Sequence, residues 1–402
     1  MHVRESGTAE EDHKHGSGGS RRRGGPMVAK LAAVLGLAIT VGVGVDVAPA
    51  FAAAAWLTVD TGGAHACGIQ QDGSLWCWGA NESGQLGLGD TTDRSVPTQV
   101  GTRLDWASVA AGSSHTCALT TSGLRYCWGS NDSGQLGLNN TTGTTAPARR
   151  PGEHLTWLSI TSGGATTCGI TTSSALYCWG NNDFGNLGVG DTTNRVAPTG
   201  LGTGWATVDG GLEHTCGVTV DGTGYCWGLG FGGALGVGDT DSRLVPTAVA
   251  GDGAWRSISA GEYDSCGISS GAHLYCWGLN DFGELGVGVG DTQSRSVPTI
   301  VSTHAWSSVS AGGLHSCGLY TNGTRFCWGA NYAGQLGIGD TTDRGAPRRL
   351  VSEAPWSLLS AGEQYSCGIR RSGALACWGA NDRGQLGVGD TTNRTRPVGV
   401  AA

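Results

Sequence analysis

The sequence predicts an all-β fold: a seven-bladed β-propeller with about four antiparallel strands per blade and one disulfide inside each blade. Three observations predict it. Fourteen cysteines form seven pairs with members ten positions apart: Cys67 with Cys77, Cys117 with Cys127, Cys168 with Cys178, Cys216 with Cys226, Cys266 with Cys276, Cys317 with Cys327 and Cys367 with Cys377. Successive pairs begin 48–51 residues apart, and a fixed period of that size marks a repeat architecture. Within each period, three or four short alternating runs are separated by glycine-bearing turns, the spacing of an all-β sandwich, barrel or propeller. No stretch after residue 55 keeps a helical period long enough to compete.

Residues 1–55 stand apart from the repeats. Arg21, Arg22, Arg23 and Lys30 precede an apolar run from Leu31 to Val45, and small residues follow to Ala55. This reads as a secretory signal and leader, with cleavage near Ala52 or Ala54 and Met27 as an alternative start. The apolar run is shorter than the ~20 residues a spanning helix needs, so no membrane attachment is expected after cleavage. Residues 56–402 form the propeller domain. The whole chain carries a net charge of −8, and no lysine lies beyond Lys30. An acidic body without lysine argues against nucleic acid, whose binding needs positive patches. The same composition suggests a GC-rich bacterial genome. An even cysteine count in an exported chain implies disulfides, and the ten-residue gap does not suit a zinc site, so no metal is expected.

The sixth repeat illustrates each element in order. Trp306 to Val309 reads as a first strand, followed by the Ala311-Gly312 loop. Cys317 and Cys327 fit a hairpin closed around Asn322-Gly323, with Gly318 facing Phe326, Leu319 facing Arg325 and glycine at the positive-φ position. Directly opposed residues in a hairpin are close enough for a disulfide. Trp328-Gly329 and Asn331 lead into Gly334-Gln335-Leu336-Gly337, and a run through Pro347 to Val351 closes the repeat. One tryptophan opens every repeat and another follows its second cysteine; strict recurrence points to packing between blades rather than to sugar stacking. The runs Asp90–Arg94, Asp191–Arg195, Asp340–Arg344 and Asp390–Arg394 read as capped turns with a local ion pair. The short link from Val100 to Trp106 suggests a hairpin across the repeat boundary, so that Pro397–Val400 would pair with Trp56–Val59 and clasp the ring.

The order Ala-Gly-x-x-His, Trp128-Gly129, Asn131, Gly134-Gln135-Leu136-Gly137 and Pro147 resembles the regulator of chromosome condensation repeat family. The resemblance covers residues 56–400 in seven repeats and implies a seven-bladed propeller. That family includes a nuclear guanine-nucleotide exchange factor. Export, disulfides and the lack of a large inserted wedge argue against that activity here. A secreted bacterial enzyme inhibitor of similar fold holds its target through aromatic loop residues, so the resemblance implies extracellular protein binding or enzyme inhibition.

Binding on a repeat scaffold is sought where the repeats disagree. Two loop families share one face; the Asn-x-x-Gly loops change character over repeats three to six and the Ala-Gly loops over repeats four to seven, together one arc from three to seven. The Asn-x-x-Gly loops there carry Phe184, Phe231, Phe282 and Tyr332. The Ala-Gly loops carry Glu213, His214, Glu262, Tyr263, Asp264, Leu314, His315, Glu363 and Tyr365. Aromatics ringed by acids suggest an interface patch for an extracellular protein or peptide. His65, His115, His214 and His315 are expected to hydrogen-bond loop backbone rather than hold a metal. No nucleophile elbow, phosphate loop or catalytic carboxylate pair stands out, so no catalysis and no cofactor are expected. The expected protein is a secreted monomer. The alternative is a carbohydrate-binding module stacking sugars on Tyr263, Phe282 or Tyr332; a hydrolase is a weaker third reading.

Overall fold

The computed structural model describes residues 55–251, 253–349 and 353–401. The leader, its cleavage site and Val351 lie outside the described residues. Twenty-eight strands form seven four-stranded antiparallel sheets, with one short 3-10 turn at Phe231–Gly233. The first blade sets the pattern: β1 (Trp56–Thr61) lines the central channel, and β2 (His65–Gln70), β3 (Leu75–Gly79) and β4 (Arg94–Gln99) follow outward in chain order. The chain is a seven-bladed propeller with a disulfide in every blade.

The disulfides pair as the spacing predicts. Cys67 bonds to Cys77, Cys117 to Cys127, Cys168 to Cys178 and Cys216 to Cys226. Cys266 bonds to Cys276, Cys317 to Cys327 and Cys367 to Cys377. The hairpin register also matches expectation. Cys317 opposes Cys327, Gly318 opposes Phe326 and Leu319 opposes Arg325. Gly323 takes a φ of 84° at the turn. The paired Cα atoms lie 4.1 Å apart, and all fourteen cysteines are buried.

The expected clasp does not form. The last strand, Arg394–Gly399, pairs with Leu375–Gly379 of its own blade, just as β4 pairs with β3. Blades therefore coincide with sequence repeats. The link after Val100 is a radial crossing, not a hairpin. Its six residue steps span up to ~20 Å when extended, enough to cross the ~14 Å width of four strands from rim to axis. The last blade instead closes on the first through the contacts made at the other interfaces. The indole N–H of Trp78 donates to the Gln385 carbonyl at 2.9 Å, and Trp128 does the same to Gln85 of the blade before it. All seven tryptophans that follow the second cysteine repeat this bond, so their recurrence is explained by blade packing.

Each innermost strand is a sheet edge and presents unpaired N–H groups to the channel. A side chain from the preceding blade satisfies them. Ala111 N–H donates to Asp60, Gly210 to Thr161, Ala260 to Asp209, Ala311 to Ser259, Ala361 to Ser310 and Thr61 to Ser360, at 2.8–3.3 Å. Six of seven interfaces carry this rung. At the other, Ala110 stands opposite Ser162 and has no acceptor to offer. Ala110→Ser is expected to supply it and stabilise the protein by ~0.5–1.5 kcal/mol. Chemical denaturation of the two proteins measures this; a lower midpoint for the serine variant would contradict the rung account.

Candidate functional site

The first strands end at one face of the ring in the Ala-Gly loops. There a second wheel forms from backbone alone. Gly63 N–H donates to Gly112 O, Ser113 to Gly163, Gly164 to Gly211, Leu212 to Gly261, Glu262 to Gly312 and Gly313 to Gly362, at 3.0–3.3 Å. Glycine is required because blades meet main chain to main chain. A Cβ on Gly62 would sit 2.2 Å from Gly112 O, and one on Gly163 2.1 Å from Gly211 O. The wheel narrows the channel to a mouth of about 170 Å³, lined by these glycines with Leu212, Glu262 and Glu363. Below it lies a polar channel of about 260 Å³ containing Asp60 and Asp209.

The Asn-x-x-Gly loops open on the same face, since alternate turns of an antiparallel sheet share a side. Asparagine shapes each loop: Asn331 donates to the Asp340 and Thr342 carbonyls and accepts from Leu336 N–H. The expected ion pairs anchor the loop ends, with Asp90–Arg94 at 2.6 Å and Asp340–Arg344 at 2.7 Å. On these scaffolds four consecutive blades present large aromatics to solvent: Phe184 is 37% exposed, Phe231 54%, Phe282 40% and Tyr332 50%. Phe231 meets Tyr263 of the next blade edge-on at 5.5 Å.

Beside them Glu213, Glu262 and Glu363 form an acidic arc. Burial holds the Glu262 carboxyl above its usual range, and the charges of Glu363 and Glu213 push it further. Burial also raises Glu213, helped by Asp183. The Tyr332 hydroxyl is raised by burial and by the charges of Glu363 and Glu262. These groups therefore feel one another across the neighbouring blades. Among the described residues none of the three glutamates has a cation within salt-bridge distance, whereas Glu82 and Asp93 on the same face pair with Arg383.

Comparison with known proteins places this geometry. A model described as regulator of chromosome condensation (RCC1) repeat matches residues 72–119, 122–170, 173–218, 221–268, 272–319 and 322–369, and a second model of the same repeat matches six windows between 57 and 385. The chain belongs to the RCC1 repeat family. It is 32% identical over 137 residues to the ultraviolet-B receptor UVR8 of Arabidopsis thaliana, a match covering 34% of this chain and 20% of the receptor. The chain thus spans about a fifth of that relative's length. Among solved structures, human WBSCR16 superposes with a TM-score of 0.73 at 22% identity, covering 82% of this chain and 94% of that one. Prp20p from Saccharomyces cerevisiae superposes with a TM-score of 0.74 at 20% identity, covering 87% and 88%. At such identities these two likenesses concern the fold.

On this RCC1 propeller, nine of the thirteen candidate residues reach the rim: Phe184, Glu213, Phe231, Glu262, Tyr263, Phe282, Leu314, Tyr332 and Glu363. The other four do not. His214, Asp264, His315 and Tyr365 are buried at one equivalent position, shared with His65, His115 and Thr166. Thr166 donates to the Asn181 carbonyl of its own blade, whereas the histidines at this position point into the next blade. His65 reaches Thr116 Oγ1 at 2.8 Å, His115 reaches Thr167, His214 reaches Ser265 and His315 reaches Ser366. The partner is a neighbouring hydroxyl, not the expected loop backbone. Each hydroxyl in turn donates to a carbonyl: Thr116 to Gln85, Thr167 to Gln135, Ser265 to Ala234 and Ser366 to Gln335. The hydroxyl must therefore accept from histidine, so Nε2 carries a proton, and burial favours the neutral form of each ring. Tyr365 extends further and donates to the His65 carbonyl across the closing interface.

Sequence reasoning missed Asp60 and Asp209. Burial raises both carboxyls, Asp60 to about 6. A signal existed: the residue two places before each loop glycine reads Asp, Ala, Thr, Asp, Ser, Ser, Ser through the seven repeats. A nearly all-polar column in a channel-lining strand points to a shared hydrogen-bonding task.

Proposed function

We propose that this chain is an exported, non-catalytic interaction propeller that binds a protein or peptide through the rim of blades three to seven, with inhibition of an extracellular enzyme as one form of that activity. The observation that carries this reading is the run of four exposed aromatics on consecutive blades, beside three glutamates that lack a cationic partner among the described residues. Large aromatics are the usual anchors of protein interfaces, and rigid loops hold them at little entropic cost. Export is supported by the leader sequence and by seven disulfides, which persist in oxidising compartments. Protein binding is in keeping with the fold: yeast Prp20 has been crystallised bound to Kap60 and is described by its binding to Gsp1p and histones.

A triple variant carrying Phe231→Ala, Tyr263→Ala and Phe282→Ala tests this reading. Capture from the culture supernatant of the producing organism is expected to recover a partner with the parent protein and lose it with the variant. Each anchor is expected to contribute about 2 kcal/mol to binding. Thermal midpoints should agree within about 3 °C, because the replaced rings lie on the surface. Equal capture by both proteins would refute the rim as the binding surface.

A further inference from the structure

We infer that the rim recognises a cationic segment, and that one lysine or arginine side chain of that segment enters the glycine-lined mouth between Glu262 and Glu363. The inference rests on the interaction reading above and adds the chemistry of the partner.

Three independent features converge on the mouth. The first is space. A mouth of about 170 Å³ has room for about five waters, and so for one long side chain. Its glycines present main chain without side chains, so no Cβ obstructs the entrance. Of the seven backbone rungs that would complete the wheel, the one from Glu363 N–H to the Gly62 carbonyl is not formed. That break lies beside Glu363, whose carboxylate passes 3.5 Å from the Cβ position of Gly63.

The second is charge. Each described Gly-Asp turn that closes on an arginine neutralises its aspartate locally, and Arg383 neutralises Glu82 and Asp93 between blades seven and one. Blades five and seven place Glu262 and Glu363 on the mouth, and blade four holds Glu213 close enough for its charge to act on Glu262, with no such cation among the described residues. Like charges held together at a partly buried site are costly, and an incoming cation relieves all of them together. The chain itself supplies no lysine after Lys30, so the repeats offer no flexible ammonium to fill the place.

The third is the flank. Phe231 and Tyr263 stack edge-on beside the arc, and Phe282 and Tyr332 follow on the next two blades. Aromatic faces next to an acid are where guanidinium and ammonium groups bind well, because the ring quadrupole adds to the carboxylate attraction. The apolar stem of such a side chain covers ring surface as its head reaches the acid.

The probe is a fluorescein-labelled peptide, Gly-Ser-Arg-Leu-Gly-Ser, titrated against the intact protein by anisotropy. Its control replaces arginine with citrulline, which keeps the shape and removes the charge. The arginine peptide should bind at least about tenfold more tightly than the control, and should weaken at least about tenfold in the double variant Glu262→Gln with Glu363→Gln. Raising salt from about 0.05 to about 0.5 M should weaken it further, because part of the rim is exposed to screening. The glutamine variant should melt no lower than the parent, since neither glutamate bonds another described side chain and their mutual repulsion is removed. No binding of the arginine peptide, equal binding of the two peptides, or binding indifferent to the glutamine changes would each overturn the inference. If a natural partner were still captured by the parent and lost on aromatic truncation, the interaction reading would survive without it.

Discussion

Lowering the pH from 7 to 5 is expected to remove on the order of 8 kcal/mol of the folding stability held at four buried histidines between blades. Burial lowers their pKa from 6.5 to about 3 for His65 and His315 and to about 4 for His115 and His214; the charge of His115 adds to the lowering at His65. The geometry agrees. Nε2–H is already committed to a neighbouring hydroxyl, and the Nδ1 atoms of His65, His115 and His315 are buried with no partner to receive a proton. The folded pKa lies below the unfolded one, so the stability contributed by neutral histidine is complete above pH 6.5. It is lost as the pH falls toward the folded value, because only the unfolded chain takes up protons. Each histidine then costs on the order of 2 kcal/mol at pH 5.

Asp60 acts in the opposite sense. Its folded pKa of about 6 is raised by burial, so its contribution is present below about 4 and disappears as the pH rises through 6. The carboxyl opens onto the channel, which reduces its effect below the ~3 kcal/mol that a fully enclosed group would show. Burial raises the carboxyls of Asp209, Glu213, Glu262, Asp264, Glu284 and Glu363 as well, and these act with Asp60, so the histidine contribution is isolated by comparing variants rather than by the net sign. Urea unfolding of the parent and of His115→Gln at the two pH values isolates one histidine, and the loss of stability between pH 7 and pH 5 should be smaller by about 2 kcal/mol in the variant. The same pH dependence in both proteins would show that His115 accepts a proton in the folded state.

The second large effect is expected on reduction. The seven staples each close a hairpin of ten-residue separation. Loop-closure entropy gives roughly 3 kcal/mol for such a loop, less where the hairpin is already local in the unfolded chain. Even at roughly 1–2 kcal/mol each, seven together match the whole stability of an ordinary domain. The fully reduced protein is therefore expected to lose its cooperative unfolding transition at 25 °C. In the native state the buried sulfurs should resist reductant until the blades open. Unfolded, unreduced protein should show no free thiols; a count near fourteen would remove the staples from the account.

The fold was legible because its signals are local and repeated. Cys317 and Cys327 fix a register that needs only the period of a strand and the length of a turn. The tryptophans were readable as packing because no repeat lacks them. What failed needed a third dimension. The link from Val100 to Trp106 is short in sequence, yet it crosses a blade instead of turning back, and nothing in its residues separates the two outcomes. His214 and Asp264 were placed on the rim because they sit in loops that vary. Each is two residues before a cysteine on the same strand, so it shares the cysteine's face and turns inward. That alternation was available in the sequence. The wheel from Asp60 to Ser360 was also written there as a polar column, but its purpose depends on the next blade lying alongside. The rim itself was legible in part: Phe184, Phe231, Phe282 and Tyr332 stand where the disagreement between repeats placed them.

Carbodiimide crosslinking of the captured complex tests the rim most directly. The reagent joins carboxylates to amines, and residues 31–402 contain no lysine, so links from the repeats must run from their acids to the partner. Tryptic mapping should find the partner's lysines joined to Glu213, Glu262 or Glu363. Links concentrated instead on acids of the opposite face, such as Asp72, Asp105 or Asp221, would contradict the site.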